Sequence, residues 1–129
     1  MVSGNKLPVI KENVSMKKAL RIINDKKLGI LISRNKKKVT TGIITDGDIK
    51  RIAQRYENFR DLKLKKVINK SPISVDINTL AARALALMNS KKITSLCVHK
   101  NKSRNKTVGV IHIHNILENN IQQISQIKM

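Results

Sequence analysis

Ala19-Leu20-Arg21-Ile22-Ile23-Asn24-Asp25-Lys26-Lys27-Leu28-Gly29-Ile30-Leu31 is answered, 65 positions later, by Ala84-Leu85-Ala86-Leu87-Met88-Asn89-Ser90-Lys91-Lys92-Ile93-Thr94-Ser95-Leu96. Each stretch then runs through a loop into a glycine and an apolar run. These are Gly42-Ile43-Ile44-Thr45-Asp46-Gly47-Asp48-Ile49 and Gly109-Val110-Ile111-His112-Ile113-His114-Asn115-Ile116, 67 positions apart, so the second loop is longer by two residues. A supersecondary unit recurs in one chain when a single copy leaves an apolar face uncovered. The spacing therefore predicts two copies packed on one another, with a pocket between them.

Working outward, Leu7 to Ile10 reads as a short extended run opened by Pro8. Ser15 is placed to cap a helix, since its hydroxyl accepts from an orphan amide of the first turn. Met16, Ala19, Leu20 and Ile23 follow at helical spacing. That helix ends near Lys26 to Gly29. Ile30 to Ser33 and Thr41 to Thr45 read as strands around a charged turn at Asn35 to Lys38, and Asp48, Ile49, Ile52 and Ala53 open a second helix ending near Tyr56. The second copy repeats the plan. Ile73 and Val75 alternate as in a strand, Asn78 or Thr79 caps a helix bearing Leu80, Ala84, Leu87 and Met88, and Thr94 to His99 and Val108 to His112 flank a basic loop. Ile113 to Asn119 closes it as a helix. Between the copies, Asp61 to Ile68 predicts one short helix. The divisions are 7–56 for the first repeat, 57–70 for a linker, 71–119 for the second repeat and 120–129 for a tail carrying Ile121, Ile124 and Ile127. The order strand, helix, strand, strand, helix defines an α+β fold, because parallel strands need a helical crossover.

Composition narrows the function classes. The chain has 129 residues, 40% hydrophobic but only 2% aromatic, so its core is built from aliphatic side chains. No apolar run approaches the length of roughly 20 residues that spans a bilayer, and Met1 to Pro8 lacks the apolar core of a secretion signal. The one cysteine, Cys97, sits in an apolar run and reads as buried packing. The cytoplasm is the expected location. The net charge is +19. Its lysines are scattered in small groups, Tyr56 and Phe59 lie close together in one segment, and no helix-turn-helix or zinc-finger spacing occurs. This pattern attracts anions in general and argues against a specific nucleic-acid reader.

The G-h-h-T-x-x-D pattern (h, apolar) at Gly42 to Asp48, with its echo at Gly109 to Asn115, resembles a tandem pair of cystathionine-β-synthase (CBS) domains related by a pseudo-two-fold axis. The longer runs Thr45-Asp46-Gly47-Asp48-Ile49-Lys50-Arg51, Leu80 to Met88, Lys92 to Leu96 and Gly109 to Leu117 are similar to the C-terminal half of bacterial arabinose-5-phosphate isomerases. The likeness extends from about Leu7 to Ile121. In that family a sugar-isomerase (SIS) domain precedes the pair and carries catalysis. The resemblance thus implies a regulatory module, with an isomerase domain in cis or in trans, and no catalytic residue in this stretch. A pair attached to a sugar nucleotidyltransferase also carries a T-D-G-D-I-[KR]-R run. The ending around His112-Ile113-His114 favours the isomerase family.

The resemblance implies a ribose held by Thr45 and Asp48. A carboxylate accepts the adjacent 2′ and 3′ hydroxyls, and the threonine hydroxyl donates or accepts beside it. Lys50 or Arg51 would add charge toward a phosphate, one of them facing it, and backbone near Val9, Ile10, Gly29 and Ile30 would hold a base. Without the resemblance, Asp48 reads equally as a helix cap and Thr45 as a strand end. In the second copy His112 stands for the threonine and Asn115 for the aspartate. Asparagine keeps one acceptor and loses the charge, so one bound ligand per chain is expected. The implied ligands are AMP or ATP, or CMP-Kdo acting in feedback on the pathway to the lipopolysaccharide sugar Kdo. No cofactor is required.

His112 and His114, with His99 read as nearby on a neighbouring strand, fall short of a metal set, because zinc takes three or four ligands. Neither a Gly-rich phosphate loop nor a Ser-His-Asp order is present. A non-sensing scaffold, a homodimer through the helices, is one competing reading, and a basic nucleic-acid-binding protein is another.

Overall fold

A computed structural model describes residues 1–118 and 122–127. Its elements are β1 (Val2–Ser3), β2 (Val9–Lys11), α1 (Met16–Lys26), β3 (Ile30–Arg34), β4 (Thr40–Thr45), α2 (Asp46–Arg55), α3 (Leu64–Val67), β5 (Ser74–Asp76), α4 (Ala81–Lys91), β6 (Ser95–His99), β7 (Gly109–His112) and α5 (Ile113–Glu118). Three-residue 3-10 turns lie at Gly4–Lys6, Phe59–Asp61 and Ile124–Gln126. The expected final helix reaches Glu118; its last residue, Asn119, and Ile121 lie outside the described residues.

Both copies show the predicted plan. β2 and β3 are parallel, bridged by α1, and β3 and β4 are antiparallel. β5 and β6 are parallel, bridged by α4, and β6 and β7 are antiparallel. The sheets are ordered β2-β3-β4 and β1-β7-β6-β5. Ile30, Leu31 and Ile32 are all fully buried, as a central strand covered on both faces requires. Ser15 caps α1 as its sequence implied, accepting from the Lys18 amide at 3.3 Å, and Met16, Ala19 and Ile23 form the buried stripe.

The chain divides into one unit of Pro8–Ser71 and a second in which Met1–Leu7 joins the residues from Pro72 onward. This differs from the boundaries read from the sequence. Residues 57–70 are no linker: Leu64 is fully buried in the first unit's core, with Phe59, Leu62, Val67 and Ile68 packed against it. They form a 3-10 turn and a single helical turn rather than one helix. In the segment read as a tail, the described residues Ile124 and Ile127 lie in the second unit's core beside Ala84, Met88 and Leu96.

These two segments are the same piece of the repeat. The Met16 amide donates to Leu62 O at 2.8 Å, and the Leu64 amide to Val14 O at 2.9 Å. In the second unit the Ala81 amide donates to Gln122 O at 2.8 Å, and the Ile124 amide to Thr79 O at 3.1 Å. Each segment thereby supplies a carbonyl to an amide at the start of a helix, where four have no partner within the helix. That explains one misreading. Neither Asn78 nor Thr79 is the cap of α4; Leu80 is the cap residue, makes no side-chain cap bond, and is 52% exposed outside the helix. The Asp76 carboxylate instead accepts from the Asn78 amide at 2.8 Å.

The two repeated glycines have a common cause. A Cβ on Gly42 would lie 2.6 Å from Asn69 O, and one on Gly109 would lie 2.6 Å from Met1 Sδ and 3.1 Å from Val2 O. At both places another segment crosses the strand. Asn69 bridges Ile43, and Val2 pairs with Val110. A side chain would drive backbone from backbone, so the sequence keeps glycine.

Candidate ligand site at the turn from β4 to α2

β4 ends at Thr45, and α2 starts at once. The Thr45 hydroxyl accepts from the Asp48 amide at 3.2 Å, and the Asp48 carboxylate accepts from the Thr45 amide at 2.9 Å. This is a reciprocal capping box, which satisfies two otherwise orphaned donors. Asp48 thus serves the helix start, as its cap reading implied, but the N-cap itself is Thr45, read from the sequence as a strand end. The second carboxylate oxygen of Asp48 accepts from Arg51 Nη2 at 2.5 Å. Arg51 is 71% exposed, so this ion pair orients the two groups more than it stabilises the fold.

The other candidate residues divide into two groups. Ile30 is in register with Thr45, and the Asp46 amide donates to Gly29 O at 3.0 Å. Gly29 and Ile30 thus adjoin the turn. Ile10 does not: it pairs with Ser33, three residues along β3 from Ile30, and its side chain is buried in the core. Lys50 is exposed, whereas Arg51 lines a cavity of about 290 Å³ with Asp48. The walls of that cavity include Arg55, Tyr56 and Lys66. Sequence reasoning missed these three. Arg55 was legible as the residue four beyond Arg51 on one helix face. Lys66 was hidden in the segment read as a linker. Its ammonium lies 5.8 Å from the centroid of the Tyr56 ring, within reach of the ring's negative face.

The second copy keeps half of the device. The His112 amide donates to the Asn115 carboxamide oxygen at 2.8 Å, matching the Thr45–Asp48 bond. The hydroxyl's part is taken differently: His112 Nδ1 accepts from the His114 amide at 3.2 Å, and the two rings stack 4.8 Å apart. His99 is not near them. His112 pairs with Ser95, at the other end of β6, and the buried His99 bonds Ser74 Oγ at 2.6 Å. Among the described residues no group of three or more His, Cys, Asp or Glu side chains is placed to hold a metal ion. Burial pushes the Cys97 thiol up to about 11 against a hydrogen bond from Thr107, so it stays protonated at neutral pH.

Burial, and then the charge of His114, hold the His112 imidazole below its ordinary value of 6.5. The folded protein then binds fewer protons than the unfolded chain once the pH falls through about 6.5. Stability should be full above that pH and decline on acidification toward the folded value. Thermal unfolding followed between about pH 7.5 and pH 5.5 should show this decline, and His112→Asn should flatten it.

No helix among the described residues is long and apolar enough to cross a membrane. The CBS domain model matches residues 2–55 and 64–121. Arabinose 5-phosphate isomerase KdsD of Escherichia coli is 32% identical over 117 residues, 91% of this chain but 35% of the isomerase. The chain thus spans about a third of that relative. Among solved structures, the CBS-domain protein ATU1752 of Agrobacterium tumefaciens superposes with a TM-score of 0.81 at 16% identity, covering 89% of this chain and 84% of that one. CBSX2, solved in complex with AMP, superposes with a TM-score of 0.77 at 20% identity, covering 92% and 90%. With the family model on both copies and the same fold in its neighbours, this chain belongs to the CBS domain family and is a tandem pair of such domains.

Proposed function

We propose that the chain is a regulatory module whose first repeat binds an adenine nucleotide through Thr45 and Asp48, and that it modulates an arabinose-5-phosphate isomerase domain in cis or in trans. The observation that carries this reading is the turn itself. A hydroxyl and a carboxylate meet there beside a cavity of about 290 Å³ walled by Arg51, Arg55 and Lys66. Asp48 suits ribose hydroxyls, and the cations suit phosphate. The AMP complex of CBSX2 supports the nucleotide class. The likeness to KdsD supports the link to the Kdo branch of lipopolysaccharide synthesis, and makes CMP-Kdo the second candidate ligand. His112 and Asn115 bind no second nucleotide in this reading, because Asn115 lacks the charge. The module acts in the cytoplasm.

Thermal unfolding with AMP, ADP, ATP, CMP and CMP-Kdo tests the reading. A ligand at 100 times its dissociation constant stabilises the fold by about 2.7 kcal/mol. A rise with one of them supports the sensor and names its class. No rise with any of them removes the site. The second reading, a homodimer scaffold, would then stand on the exposure of Leu80 and Leu117, 52% and 63% respectively. Sedimentation would show a dimer that ignores nucleotides.

A further inference from the structure

A second cavity in the first unit, of about 520 Å³, lies between α1 and α2 and shares no lining residue with the one beside Asp48. Lys17 and Arg21 of α1 and Arg60 of the 3-10 turn line it, together with Asn24 and Asp46. Leu20, Ile23 and Ile49 add apolar lining. Among the described residues, Lys17, Arg21 and Arg60 make no salt bridge. Lys17 and Arg21 are four apart on one helix, a spacing at which like charges repel. Three cations around one cavity that also has apolar lining favour an anion between them.

The second repeat serves as an internal control. Lys17 and Arg21 correspond to Ala82 and Ala86, and Asp46 to Ile113. The fold is made there without any of these charges. The cations of the first repeat are therefore not a requirement of the helix pair, and they accumulate where a cavity exists.

We propose that this cavity is a second ligand site, for a phosphate monoester carried on a hydroxyl-bearing group. Arg21, Arg60 and Lys17 hold the phosphate by charge-assisted hydrogen bonds. Asn24 and Asp46 take the hydroxyls, since a carboxamide and a carboxylate both accept them. Leu20 and Ile49 lie under the carbon skeleton. The site is independent of Thr45 and Asp48.

Backbone amide NMR titrations of the whole chain with inorganic phosphate, ribose 5-phosphate and AMP test it. The expected result is saturable shifts at Lys17, Arg21, Asn24, Ile49 and Arg60. Lys17→Ala with Arg21→Ala, which the second repeat shows the fold accommodates, should weaken binding at least roughly tenfold. Asp48→Ala should leave it unchanged. Tighter binding of ribose 5-phosphate than of AMP supports a sugar phosphate; the reverse supports a mononucleotide. Shifts that never saturate, that spread evenly over all lysines, or that survive the double variant overturn the proposal. Inorganic phosphate binding as tightly as both esters overturns the roles of Asn24 and Asp46. Because Asp48→Ala separates the two cavities, failure here is distinct from failure of the nucleotide site.

Discussion

Ile124→Ala is expected to lower stability by about 2–5 kcal/mol, a large part of what a domain of this size possesses. Ile124 is fully buried among Ala81, Ala84 and Met88, and alanine in its place leaves a cavity in an aliphatic core with no aromatic ring to fold over it. The loss reaches further than one side chain. The Ile124 amide bonds Thr79 O at 3.1 Å, and Gln122 O takes the first free amide of α4. Loosening the segment re-exposes that helix start. Leu64→Ala, the equivalent change in the first unit, should cost a similar amount, since Leu64 is also fully buried and its amide bonds Val14 O at 2.9 Å. Urea unfolding checks both. A midpoint for Ile124→Ala equal to that of the parent would mean that the residues after 121 contribute nothing to the second core.

Asp48→Ala should abolish nucleotide binding. A carboxylate that accepts two hydroxyls loses two charge-assisted hydrogen bonds, each worth about 1.5–3 kcal/mol, so affinity should fall at least roughly a hundredfold. The same change removes half of the capping box and should destabilise α2 by about 0.5–2 kcal/mol. Asp48→Asn separates these effects. Asn115 already holds the corresponding backbone amide of the second repeat at 2.8 Å, so asparagine at 48 should keep the cap while losing the charge. Calorimetry that shows weakened binding by Asp48→Asn at parental stability assigns the carboxylate to the ligand. Unchanged binding in both variants would leave Asp48 as a cap alone.

The repeat was legible because its signal is long. The helix of the first copy and that of the second each carry apolar residues at helical spacing, and each copy closes on a glycine whose need is now explicit in the crossing of Asn69 or Val2. The segments around Leu64 and Ile124 escaped notice for two reasons. A single helical turn has no period to detect. They are also offset by 60 positions, where the helices are offset by 65 and the glycines by 67. Likewise the pairing of Thr45 with Asp48 could be read from spacing, and Arg55 from its place one helical turn beyond Arg51, but Lys66 joins them only after residues 57–70 fold back. The misplacement of His99 beside His112 came from strand adjacency without register: antiparallel pairing sets His112 against Ser95 and carries His99 to the far end.

The pairing of Val2–Ser3 with β7 bears on the order in which the chain can acquire its structure during synthesis. The unit Pro8–Ser71 is continuous, so it can close as soon as those residues have left the ribosome. The other unit takes its edge strand from Val2 and Ser3, ahead of that continuous unit, and core residues Ile124 and Ile127 from far beyond it. The Met1 nitrogen lies 3.4 Å from Ile127 O. Val2 and Ser3 must therefore wait, unpaired, until Gly109 and Val110 have been made, and a contact of such high sequence separation closes slowly. The continuous unit can be finished first, while the strand that precedes it in sequence is fixed only after Val110 has been made.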